Sequence, residues 1–90
     1  METQKKIENE ASLLLKQIKN KCSELGISLI FDKLENDGGS CKYKNKLFIV
    51  INKFYSDIQK LSIFFSEISK TEYNSQFEDL KNKFSKLIEK

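Results

Sequence analysis

Ile27-Ser28-Leu29-Ile30-Phe31-Asp32-Lys33-Leu34, then Asn36-Asp37-Gly38-Gly39-Ser40-Cys41-Lys42-Tyr43-Lys44, then Asn45-Lys46-Leu47-Phe48-Ile49-Val50-Ile51-Asn52 is the stretch that decides the fold. Residues 27–34 are short, β-branched and aromatic, which suits a strand. The Asn-Asp-Gly-Gly cluster behind them is turn chemistry. Residues 40–44 alternate, with Cys41 and Tyr43 on one side and Lys42 and Lys44 on the other. After a turn around Asn45, residues 46–52 supply a third strand. The spacing predicts a three-stranded antiparallel meander with a hairpin turn at 36–39.

Working outward, Ile7, Ala11, Leu14, Leu15, Ile18, Cys22 and Leu25 recur at intervals of three and four, so residues 2–25 are expected to form one amphipathic helix. Gly26 can take the left-handed conformation that ends it, with Ile27 packing back on Cys22. Downstream, Ser56-Asp57-Ile58-Gln59 fits a capping box, and Ile58, Leu61, Phe64, Phe65 and Ile68 continue from it as a second helix to about Ser69. A fresh stripe of Phe77, Leu80, Phe84, Leu87 and Ile88 lies out of phase with that one. A break is therefore expected near 71–74, with Ser75-Gln76-Phe77-Glu78 as a second capping box. The expected class is α+β, in the order α-β-β-β-α-α, as a single domain over residues 1–90.

The 90 residues suffice for one modest core. Seven Phe and three Tyr within an apolar fraction of 39% can offset the entropy of ordering the chain, which argues against disorder. The start, Met1-Glu2-Thr3-Gln4-Lys5-Lys6, is charged and leads into an amphipathic stretch, so a cytoplasmic location is expected. The longest apolar run, 47–51, is far below the roughly 20 residues that cross a bilayer, and no membrane association is expected.

Candidate chemistry is sparse. The chain has two cysteines, Cys22 and Cys41, and no His, so it cannot by itself supply four N/S ligands for a structural zinc; no metal and no cofactor are expected. In a cytosolic protein both thiols read as buried and reduced. Gly38-Gly39-Ser40-Cys41 could present backbone N–H groups to an anion or a thiol to a substrate. It leads into a strand instead of a helix N-terminus, however, and no His is present to act as base. A turn followed by a buried thiol is the favoured reading. The carboxylates are spread along the helices amid lysines without forming an acid/base pair, and the chain is read as non-enzymatic.

Net charge is +3, and its distribution is the more informative quantity. Residues 1–35 hold six Lys and six acids, residues 61–90 five and five, and residues 36–60 five and two, so the excess lies in the middle. Lys42, Lys44, Lys46 and Lys53, interleaved with Tyr43, Phe48, Phe54 and Tyr55, could form a platform for single-stranded nucleic acid. The favoured alternative is that edge-strand lysines suppress sheet-to-sheet aggregation, since +3 is small for a nucleic-acid binder and the chain has no Arg.

Both faces of the third strand are apolar: Leu47, Ile49 and Ile51 point one way, Phe48 and Val50 the other. If the helices gather on one side, Ile30, Phe48 and Val50 form a patch that a second subunit or a partner protein should bury. A homodimer or other protein-interaction module is the leading expectation, with a weak nucleic-acid-binding protein as the alternative.

Leu25-Gly26-Ile27, Gly38-Gly39-Ser40-Cys41 and Ile49-Val50-Ile51-Asn52-Lys53 resemble the pattern of a small uncharacterised bacterial protein family, over about residues 20–88. The resemblance implies the same succession of helix, Gly-Gly-x-Cys hairpin, apolar strand closing on Asn, and helix, and no known activity. The order of elements is more distantly similar to a minimal zincin core. There the helix after the meander carries His-Glu-x-x-His, where this chain has Phe65-Ser66-Glu67-Ile68-Ser69; the similarity implies a scaffold without zinc ligands. By topology alone it also resembles the YbaB family of nucleoid-associated proteins, which are DNA-binding dimers; the likeness adds slight weight to the nucleic-acid alternative.

Overall fold

The computed structural model describes residues 2–89, with side chains from Lys6 onward. Helix α1 (Glu2–Leu25) buries Ala11, Leu14, Leu15, Ile18 and Cys22, the stripe expected from their spacing. It ends as a Schellman motif: Gly26 has φ +76°, Ile27 N–H donates to the Cys22 carbonyl at 2.8 Å, and Gly26 N–H donates to that of Ser23 at 3.3 Å. Both Ile27 and Cys22 are buried, so the apolar contact that accompanies the motif is in place.

The strands are β1 (Ser28–Asp32), β2 (Gly38–Tyr43) and β3 (Lys46–Asn52). Their order corrects the expected antiparallel meander. The sheet runs β1-β3-β2, with β1 parallel to β3 and β2 antiparallel to it. Residues 33–37 are therefore not a hairpin turn; they pass over the end of β3 and deliver the chain to its far side. Asn52, the buried last residue of β3, makes this possible by meeting the polar needs of the crossing backbone. Its amide donates to the carbonyls of Leu34 at 3.1 Å and Asn36 at 3.2 Å, and its Oδ1 accepts from Phe54 N–H at 3.1 Å. Gly38 and Gly39 belong to β2 and not to the turn. The β2–β3 hairpin turns through Lys44 and Asn45, whose φ values of 51° and 65° suit a tight turn matching the strand twist.

Helix α2 (Asp57–Ile68) starts with the expected capping box: Gln59 N–H donates to Ser56 Oγ at 3.2 Å, and Ser56 N–H donates to Gln59 Oε1 at 3.1 Å. It stops where Thr71 turns its own hydroxyl onto the Ile68 carbonyl at 2.8 Å. The second expected capping box is absent. Residues Asn74–Phe77 form a 3-10 turn, and helix α3 (Glu78–Ile88) follows from Phe77 with no side-chain cap. Packing accounts for the difference: the tighter turn places Phe77 in the core, edge-to-face with Phe64 at 5.1 Å between centroids.

All three helices serve one core. Leu47, Ile49 and Ile51 of β3 join α1, Leu61, Phe64, Phe65 and Ile68 of α2, and Phe84 and Leu87 of α3, where Phe84 stacks on Phe65 at 5.4 Å. Burying each of the larger side chains contributes about 1.5–3 kcal/mol. Among the described residues no helix is long and apolar enough to cross a membrane.

Candidate interaction surface

Strand register sorts the sheet residues between two faces. Leu29 pairs with Ile49 and Phe31 with Ile51, while Ser40 faces Ile49 and Lys42 faces Leu47, so these share the helix side. Contacts agree with that assignment. Ser40 Oγ donates to Glu67 of α2 at 2.9 Å, and Lys19 of α1 lies 4.9 Å from the centroid of Phe31. The opposite side carries Ile30 beside Val50, and Cys41 beside Phe48, with Gly39 next to Val50 and Tyr43 next to Lys46.

Among the described residues no helix lies on this second side. Ile30 is 41% exposed and Tyr43 63%, while Phe48 and Val50 are half-buried. A Cβ on Gly39 would meet nothing within 4 Å, so the face is open at Gly39, the register partner of Val50. The three residues expected to form a patch, Ile30, Phe48 and Val50, thus sit together on one uncovered face. Tyr43 and Cys41 extend it; sequence alternation had already put these two on a common side, but which side the helices cover depends on tertiary packing.

The four candidate nucleic-acid lysines do not converge on one surface. Lys42 is on the helix side and pairs with Glu72 at 2.6 Å, a hydrogen bond that raises the lysine above its ordinary pKa. Lys46 is on the open face and leans over Phe48, 5.9 Å from its centroid. Lys44 leans over Tyr43 at 5.5 Å and Lys53 over Phe54 at 5.4 Å. The interleaving of lysine and aromatic residues is therefore spent largely on local cation–π contacts.

Cys41 corrects another expectation, because it is exposed rather than buried; both cysteines are free thiols. Cys22 is enclosed by the core, and burial pushes its thiol up to about 12, so it stays protonated. Glu67 is the best-enclosed carboxylate contact, 16% exposed. A hydrogen bond from Lys70 at 2.9 Å, assisted by Ser40, holds it below the usual carboxylate range despite the opposing effect of burial. The Asp37 carboxylate accepts from the Tyr55 hydroxyl and raises its pKa, tying the crossing segment to the residue before the α2 cap. Among the described residues, no three His, Cys, Asp or Glu side chains gather as a metal site.

Compared with family models, with curated proteins and with solved structures, the chain matches none, and its surface is the guide to what it does.

Proposed function

We propose that this protein is a non-enzymatic assembly module that works through the uncovered face of its sheet, and that the first occupant of that face is a second copy of the chain. The observation that carries the reading is the direct pairing of Ile30 with Val50, next to Phe48, on a side where no helix of the described residues lies. Apolar side chains gathered in this way lose free energy when covered, at about 25 cal/mol per Å² removed from water. A two-fold axis through the face would oppose the same apolar residues and require no second kind of partner.

Light scattering at high micromolar concentration tests the proposal. The expected result is a dimer for the native chain and a monomer for Ile30→Lys, with the helical circular dichroism of the two unchanged. A native chain that stays monomeric throughout, or an Ile30→Lys variant that still dimerises, would sink the idea.

A further inference from the structure

We propose that the outer edge of β1 is a docking site for an extended acidic segment of a partner protein, which adds to the sheet as a fourth strand. This site lies at the strand edge, shares Ile30 and Lys46 with the open sheet face, and does not rest on self-association. Both outer strands of a three-stranded sheet expose unpaired backbone groups, and natural edges are usually blunted by lysine, proline or distortion. Strand β2 carries such protection: Gly38 has φ +123°, and Lys42 and Tyr43 sit at its far end, followed by Lys44. Strand β1, Ser-Leu-Ile-Phe-Asp, has neither Lys nor Pro within its span, although Lys33 follows it, and among the described residues it pairs with β3 alone.

A groove of about 520 Å³ follows that edge, lined by Lys19, Cys22 and Ser23 of α1, by residues 26–31 and by Lys46. It straddles the strand, since Lys19 stands over Phe31 on the helix side while Lys46 belongs to the open side. The Lys60 ammonium reaches the same Phe31 ring, 5.4 Å from its centroid. Among the described residues neither Lys19 nor Lys60 has a carboxylate within ion-pairing distance, so the aromatic ring is their common partner. Two cations on one ring beside an unpaired strand edge attract negative charge and repel a second copy of the same edge.

Strand geometry specifies the ligand further. Side chains of an added strand alternate between the two faces, so those beside Phe31 and Leu29 meet Lys19 and Lys60, and those between them lie beside Ile30. The fitting segment therefore alternates acidic and aliphatic residues. Main-chain hydrogen bonds supply affinity and the alternation supplies selectivity.

The test is fluorescence polarisation with the full chain and a labelled alternating Glu-Val hexapeptide. Binding is expected, with chemical-shift changes centred on the amides of residues 28–32. The double variant Lys19→Glu/Lys60→Glu should bind about tenfold more weakly or worse. The alternating Lys-Val peptide should not bind. An N-methylated Glu-Val peptide, tested on the unaltered protein, should also fail, because it cannot donate to the edge. Equal binding of the methylated peptide would reduce the effect to charge attraction and overturn strand addition. Failure of the Glu-Val peptide to bind would equally overturn the proposal, as would an edge already protected from hydrogen exchange by pairing between two copies.

Discussion

The side-chain amide of Asn52 donates at 3.1 Å to the carbonyl oxygen of Leu34, eighteen residues earlier in the chain. With the companion bond to Asn36, it anchors the segment that carries the chain across the end of β3. Replacing Asn52 by Ala leaves two carbonyls and the Phe54 N–H without their partner, and should cost about 1–3 kcal/mol in denaturant unfolding. Asn52→Asp should be worse than Ala, since a carboxylate cannot donate and would face both carbonyls. A destabilisation by Asp smaller than that by Ala would show that the amide donors are not what hold the crossing.

Gly38 and Gly39 are adjacent but should respond oppositely to a methyl group. A Cβ on Gly38 would lie 2.0 Å from the Val50 carbonyl oxygen, at a φ of +123° that L residues rarely adopt. Gly38→Ala should therefore lower stability by about 2 kcal/mol or more. Gly39 has no such neighbour, and Gly39→Ala should be neutral or stabilising by up to about 1 kcal/mol through the lower entropy of the unfolded chain. Thermal unfolding of the two variants side by side checks the contrast.

The thiols should separate cleanly in reactivity. Cys41 is exposed, whereas burial pushes Cys22 up to about 12. A disulfide reagent near neutral pH should modify Cys41 alone in the native protein and both after unfolding. Because Cys41 shares the open face with Phe48, its labelling should slow as protein concentration rises if two copies cover that face. Cys22 reacting as fast as Cys41 would contradict the burial.

Acid should weaken the fold partly through Glu67. Its folded-state pKa is lowered, by Lys70 first and Ser40 second. The stabilisation is thus present above the ordinary value of 4.5 and is lost as pH falls through the lower folded value. Glu67→Gln should flatten stability against pH across that acid window while leaving the slope near neutrality unchanged. An unaltered acid limb would show that the Lys70 contact contributes nothing in solution.

The helices were legible because each buries a stripe at helical spacing, and local hydrogen bonds close the ends at Gly26 and Ser56. Strand existence was legible for the same local reasons, whereas strand order was not. Asn36-Asp37-Gly38-Gly39 has the composition of a hairpin turn, and the partner that converts it into a crossing, Asn52, is remote in sequence. One signal was nevertheless present: β3 is the most continuously apolar of the three strands, which is the usual mark of a central position. The Ser75 capping box failed because placing Phe77 in the core outweighed a cap worth about 1 kcal/mol. Membership of the patch followed from strand alternation, but its exposure did not, since alternation is silent on where three helices will settle.

The strand order also sets a sequence for assembly in time. Pairs in the β2–β3 hairpin begin at Tyr43 with Lys46, across a two-residue turn, so that unit can zip with little loop-closure entropy. Every β1–β3 pair, from Ser28 with Phe48 to Asp32 with Asn52, instead closes a much longer stretch of chain. Loop closure thus favours the first strand in the sequence as the last to join the sheet. Weakening substitutions in β1 should accelerate unfolding and leave the refolding rate nearly unchanged in stopped-flow kinetics, whereas those at the Lys44-Asn45 turn should slow refolding.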